Sequence, residues 1–183
     1  MSSAISIVAL IFATASCALS LAVATRAKKI LDPMVEGAMV PRSTIETGIK
    51  IPDVGALYDH EGNELDLRAG QEGNWILAVL SSSCSGCAQQ TPDYKRLIAT
   101  ENIPATRAVT IVLGTGEDAD EYARSVAQYS RVIRNQDNLD ALLSAIGLKS
   151  YPAFAVVTTD GVVKYATPSV SALVASAKEL VVV

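Results

Sequence analysis

The sequence predicts an α/β fold of three layers, a mixed sheet with helices on both faces, and three observations carry that prediction. Strand-length apolar runs alternate with helix-length runs through most of the chain. Residues 75–80 are continuously apolar, as expected of a strand covered on both faces. The chain then closes with a hairpin and a helix rather than another alternating unit.

The elements follow in order. Leu57-Tyr58 and residues 64–67 flank the turn Asp59-His60-Glu61-Gly62-Asn63, a hairpin by composition. Residues 75–80 form a buried central strand, with Trp75 in the core. A helix is expected over 88–101, and Pro92 inside it removes a hydrogen bond and predicts a kink. Residues 106–113 make the next buried strand, ending in the turn Gly114-Thr115-Gly116. A helix over 118–128 begins with an acidic turn that suits its dipole. Residues 130–134 read as a short strand with Val132 and Ile133 inside, and 139–146 as a helix stopped by Gly147. Residues 153–158, the Asp160-Gly161 turn and 162–166 form an antiparallel hairpin. A last helix over 169–180 places Leu173, Val174 and Ala177 on one face.

Cys84-Ser85-Gly86-Cys87 sits where the central strand stops and the first helix begins. A strand turning straight into a helix leaves Cys84 beside unpaired backbone N–H groups and the positive end of the helix dipole. Those donors favour negative charge on sulfur, and the thiolate is the form that attacks disulfides. Two intervening residues let Cys87 curl back toward Cys84. Downstream, Tyr151-Pro152 heads the strand at 153–158, and X-Pro is the dipeptide in which a cis bond is affordable.

Strand, C-x-x-C, a helix with proline at that offset and a proline opening a later strand together resemble the thioredoxin superfamily. The segment Gly48-Ile49-Lys50-Ile51-Pro52-Asp53 and the hairpin after it resemble the TlpA-like and MauD-like branch of membrane-anchored thiol–disulfide proteins. The resemblance covers about residues 48–183 and implies a thioredoxin-like sandwich with an N-terminal hairpin. It also implies an inserted helix–strand unit, matching residues 118–134. In that family the proline is cis and packs against the cysteines, and the neighbouring backbone pairs with the partner. Tyr151, Pro152, Ser85 and Gly86 are therefore expected to border the partner groove. Two departures stand out: Ser83 occupies the usual tryptophan position, and Ala78 the position of a buried acid that receives a proton from the second thiol.

The 183 residues suffice for one domain and an appendage, and half of them are hydrophobic. A formal net charge of −4 argues against a nucleic-acid binder. Residues 3–25 carry no charge and exceed the roughly 20 residues that cross a bilayer. The domain plan is thus a membrane anchor with its basic flank (1–29), a linker (30–46) holding Pro33 and Pro41, and the thioredoxin-like domain (47–183). A cleaved signal ending at Ala22-Val23-Ala24 is the alternative; lipidation of Cys17 fits poorly, because apolar residues continue past it. Arg26, Lys28 and Lys29 follow the span, so the positive-inside rule places the domain in the cytoplasm. The resembled branch faces outward, and the reading adopted is an extracytoplasmic domain on a single-pass anchor.

Competing chemistries are weak. Zinc needs four ligands, and beyond Cys84 and Cys87 the chain offers only Cys17 and His60. His60 lies in a polar turn and reads as solvated. Haem attachment requires histidine after Cys87, where Ala88 stands. Gly114-Thr115-Gly116 lacks the lysine of a phosphate loop. Ser81 precedes Cys84 by three residues as in peroxiredoxins, but Leu77 stands where those enzymes need proline. No cofactor or metal is expected. The expected function is thiol–disulfide exchange with Cys84 as nucleophile and Cys87 as resolving thiol, reducing a dedicated protein client and drawing on an upstream, membrane-embedded thiol donor. The alternative is a tethered binding module whose cysteines are passive.

Overall fold

The computed structural model describes residues 26, 44–67, 73–134 and 136–180, with side chains omitted for 177–180. The expected anchor over residues 3–25, Cys17 and most of the linker lie outside them. Among the described residues no helix is long and apolar enough to cross a membrane.

The central strand β3 (Trp75–Ser81) is buried along its whole length, because both of its faces are covered. It pairs in parallel with β4 (Ala108–Leu113) and antiparallel with β6 (Ala153–Val157). β5 (Arg131–Ile133) extends the sheet beyond β4, and β7 (Val163–Thr167) extends it beyond β6, giving the order β5-β4-β3-β6-β7. A separate hairpin, β1 (Leu57–Tyr58) and β2 (Glu64–Leu65), precedes it, with Leu57 opposite Leu65.

Alternate residues of β3 sort the core into layers, as strand geometry requires. Ile76, Ala78 and Leu80 pack with Tyr94, Leu97 and Ile98 of α1 (Ser85–Thr100) and with Val170 and Leu173 of α4 (Val170–Leu180). Val112 and Val132 pack under α2 (Gly116–Ala127) through Ala123 and Val126. Trp75, Leu77 and Val79 face the opposite layer, meeting Leu139, Leu142 and Ile146 at α3 (Leu139–Ala145) together with Leu57, Leu65 and Leu67. The expected three-layer thioredoxin-like sandwich with a leading hairpin is the one formed. The inserted α2–β5 unit occupies the β5 edge of the sheet.

The N-terminal segment covers both sheet edges, which otherwise expose unpaired backbone groups. Lys50 bridges Val162 beside β7, while Asp59 bridges Ile133 beside β5. Ile45, assigned to the linker by sequence, is fully buried in this core.

Several element limits differ from the sequence expectation. α1 begins at Ser85 rather than at residue 88, because Cys84 itself serves as its N-cap. Residues 105–107 form a short 3-10 turn, Ala105–Arg107, in place of the start of β4. Pro104 enters that turn, and the Arg107 guanidinium is drawn to the Asn74 carbonyl (Nε···O 2.9 Å). α2 starts two residues early, at Gly116, with Thr115 as N-cap, so only Gly114-Thr115 remains as the turn. Of residues 64–67 only Glu64–Leu65 form a strand. β7 runs one residue later than expected, with an irregularity opposite Val156 and Val157.

Candidate active site

The two cysteines stand at the C-terminal end of β3 in unlike environments. Cys84 is half-buried, and Cys87, one turn into the helix, is fully buried. Cys84 has extended backbone angles (φ −97°, ψ 112°) and caps α1 through sulfur, which accepts the Cys87 amide proton at 3.1 Å. N-capping normally falls to an oxygen; here the free helix donor meets a thiol sulfur. The Cys87 sulfur in turn accepts from the Ser81 amide at 3.4 Å. Both sulfurs are thus held by backbone groups of the same strand-to-helix junction.

Burial pushes the Cys87 thiol up to about 12 from its ordinary value of 9.0. The hydrogen bond and negative charge of Cys84 push in the same direction, and the Ser81 amide opposes them. Ala78 shares the apolar cluster with Cys87, Tyr94 and Phe154.

The roof of the site comes from another part of the chain. The Tyr151–Pro152 bond is cis. The Tyr151 carbonyl lies 3.7 Å from Cys84 Sγ. Gly86 fills the space beneath the proline: a Cβ there would sit 3.4 Å from Pro152 Cδ and 3.8 Å from Cys84 Sγ. Tyr151 is 46% exposed, one of two large apolar side chains among the described residues that are so open. Ser85 and Ser83 are exposed. The structure therefore gathers Cys84, Cys87, Ser85, Gly86, Tyr151 and Pro152 at one place.

His60 is exposed in the hairpin turn, where its amide bonds the Val132 carbonyl. Among the described residues no cluster of three His, Cys, Asp or Glu side chains is arranged to hold a metal ion. Ser81 is buried, with its hydroxyl 3.1 Å from that of Ser83.

Three supporting side chains were not legible as site residues. Thr91 lies one turn beyond Cys87 and donates its hydroxyl to the Cys87 carbonyl at 2.8 Å. Its place on the buried face, four residues on, was the available signal. Gln90 caps α4 from α1, accepting the Val170 amide at 2.9 Å. Tyr122 reaches Thr91 from α2, a contact 31 residues apart that no local pattern announces. Below them Tyr94 bonds Thr110 (3.1 Å), which bonds Ser130 (2.7 Å), tying α1 to β4 and to the turn before β5.

The family model described as Redoxin matches residues 46–180. Among curated proteins none matches. Solved structures with the same fold include the thioredoxin domain of a thiol-disulfide oxidoreductase from Bacteroides vulgatus, at 16% identity and a TM-score of 0.60, covering 74% of this chain and 97% of that one. A thio-disulfide isomerase from Thermus thermophilus aligns at 17% identity and a TM-score of 0.57, covering 74% and 96%. The exposed lipoprotein thioredoxin of Streptococcus pneumoniae aligns at 22% and 0.53, covering 69% and 98%. At such identities the likeness establishes the fold.

Proposed function

The chain belongs to the Redoxin family, and from that premise we propose that it is a membrane-tethered thiol–disulfide oxidoreductase that reduces the disulfide of a dedicated protein client. The observation that carries the exchange chemistry is the asymmetry of the pair: a half-exposed Cys84 at the mouth of the helix with Cys87 buried behind it. Cys84 thiolate attacks a client disulfide, forming a mixed disulfide and releasing one client thiolate. Cys87 loses its proton and attacks Cys84 sulfur, closing the Cys84–Cys87 disulfide and releasing the second client thiolate. Two electrons pass to the client, and an upstream thiol donor returns them.

Tyr151, Pro152, Ser85 and Gly86 supply the surface on which the client's extended chain lies, its backbone pairing beside Pro152. The names of the neighbouring structures, oxidoreductase and isomerase among them, support exchange without giving its direction. Tethering rests on the uncharged residues 3–25. An extracytoplasmic domain agrees with the exposed pneumococcal lipoprotein, while Arg26, Lys28 and Lys29 argue for the opposite face.

A second reading, a tethered module that holds its client without turning it over, draws on the high Cys87 thiol and on Ala78 in the acid's place. Trapping separates the two. In membranes carrying Cys87→Ser, exchange predicts accumulated mixed disulfides that reducing agent releases, and Cys84→Ser predicts none; a Cys87→Ser protein that captures nothing by disulfide sinks the enzyme. Direction follows from the reduction potential of the pair. A value below about −250 mV marks a reductant, and one above about −180 mV overturns that direction.

A further inference from the structure

Tyr122, on α2 and outside the redox motif, reaches the turn beneath Cys87. Its hydroxyl meets Thr91 Oγ1. Thr91 has a single hydroxyl proton, and that proton goes to the Cys87 carbonyl 2.8 Å away, since a carbonyl only accepts. Tyr122 must therefore be the donor in its own contact. The resulting order, Tyr122 O–H to Thr91 O–H to Cys87 C=O, aligns both hydroxyl dipoles on one peptide group, and such chains strengthen one another.

That turn is where α1 needs support. Pro92 has no amide proton, so the Ala88 carbonyl, next to Cys87, lacks its helical donor. Tyr122 packs both on the apolar cluster that contains Cys87 and on the one under α2. Burial pushes its phenol up, the Thr91 bond draws it back, and negative charge on Cys87 and Cys84 pushes it up again. It therefore remains a protonated donor at neutral pH, within electrostatic reach of both sulfurs.

We propose that Tyr122 is a positioning residue for the resolving thiol: through Thr91 it holds the Cys87 turn in the geometry from which Cys87 sulfur attacks Cys84, making the inserted helix part of the redox site. This rests on the exchange reading above. The test is stopped-flow oxidation by dithiobis(nitrobenzoate) of the reduced full-length protein carrying Cys17→Ser, the parent of every variant below, so that Cys84 and Cys87 are its two thiols. Cys84 attacks the reagent and releases one thionitrobenzoate in a concentration-dependent phase. Cys87 then attacks the Cys84 adduct and releases the second in a unimolecular phase, which Cys87→Ser abolishes.

Tyr122→Phe and Thr91→Val should each slow the second phase by roughly three- to tenfold, the loss of one hydrogen bond. The double variant should be no slower than the worse single one by more than about twofold, as for members of one chain. Thr91→Ser, which keeps the hydroxyl, should restore the rate lost in Thr91→Val, with the first phase as internal reference. A second phase untouched by Tyr122→Phe, additive effects, or Thr91→Ser as slow as Thr91→Val would overturn the assignment while leaving exchange intact. A parent protein with a first phase and no second would overturn exchange itself, and this inference with it.

Discussion

Cys84 and Cys87 differ in one respect that decides what each can do: access to water. Cys84 is half-buried and holds a helix amide, whereas Cys87 sits in an apolar cluster that raises its thiol to about 12. A raised thiol is protonated in the native state, so the resolving step depends on the small thiolate fraction. In the mixed disulfide the Cys84 charge is gone, but burial, the largest cause, persists. The resolving rate is therefore expected to climb roughly tenfold per pH unit from pH 7 to at least about pH 9, measured as the unimolecular phase of thiol release. Levelling near neutral pH would show that a base has been overlooked. Ala78→Asp tests the same point from the other side. A carboxylate beside Cys87 should accelerate resolution by on the order of tenfold or more and lower stability by about 2 kcal/mol for its own burial. Cys84 and Cys87 were legible because their spacing is local, and Pro152 because it heads a strand. Thr91 and Tyr122 were not, because the contact that gives them meaning joins two helices.

At the scale of the element, the junctions rather than the helices themselves hold the site. α1 is capped by Cys84, carries Pro92 inside and caps α4 through Gln90. β4 passes to α2 at Gly114, whose φ of +121° is a conformation that side chains rarely adopt. A Cβ there would also fall inside contact distance of Ser82 Oγ, two residues before Cys84. Gly114→Ala should therefore cost about 2 kcal/mol, read by denaturant unfolding, and should disturb the loop that delivers Cys84. An unchanged midpoint would mean that the loop accommodates the methyl. The early start of α2 and the 3-10 turn before β4 show why the sequence pattern and the structure differ by two or three residues at such limits. A cap is a matter of backbone angles and one donor, whereas periodicity reports only which residues are apolar.

Across the whole domain, the N-terminal segment is bound to parts of the chain far away in sequence. Asp59 is 8% exposed; its carboxylate receives the amides of Glu61 (3.0 Å) and Asn63 (2.8 Å), the Asn63 side chain (3.2 Å) and Arg131 Nε (3.2 Å). The hairpin is thereby tied to β5 and to the inserted unit. Burial alone would raise the Asp59 carboxyl, but the Asn63, Arg131 and Glu61 hydrogen bonds outweigh it and hold the group below its usual 3.8. A lowered folded value contributes stability that is present above the unfolded value and lost as pH falls through the folded one. Acid unfolding of the wild type should thus include a component below about pH 4, absent in Asp59→Asn. That variant should be less stable at neutral pH by about 2 kcal/mol. Equal acid midpoints for the two proteins would remove Asp59 from the account. The turn residues make the hairpin legible in the sequence, but the second role of Asp59 is not, since its partner Arg131 lies 72 positions on.

The sequence by itself determined the layering and the chemistry: a continuous apolar run demands a sheet covered on both faces, and a C-x-x-C at a strand–helix junction places its first thiol at a free helix donor. Only the tertiary structure decided that Tyr122 and Thr91 stand behind Cys87, that Gln90 caps α4 and that Asp59 pairs with Arg131. Periodicity and capping are properties of neighbouring residues, carried by the chain before it folds. Burial and hydrogen-bond partnership between distant segments exist only after packing has brought them together.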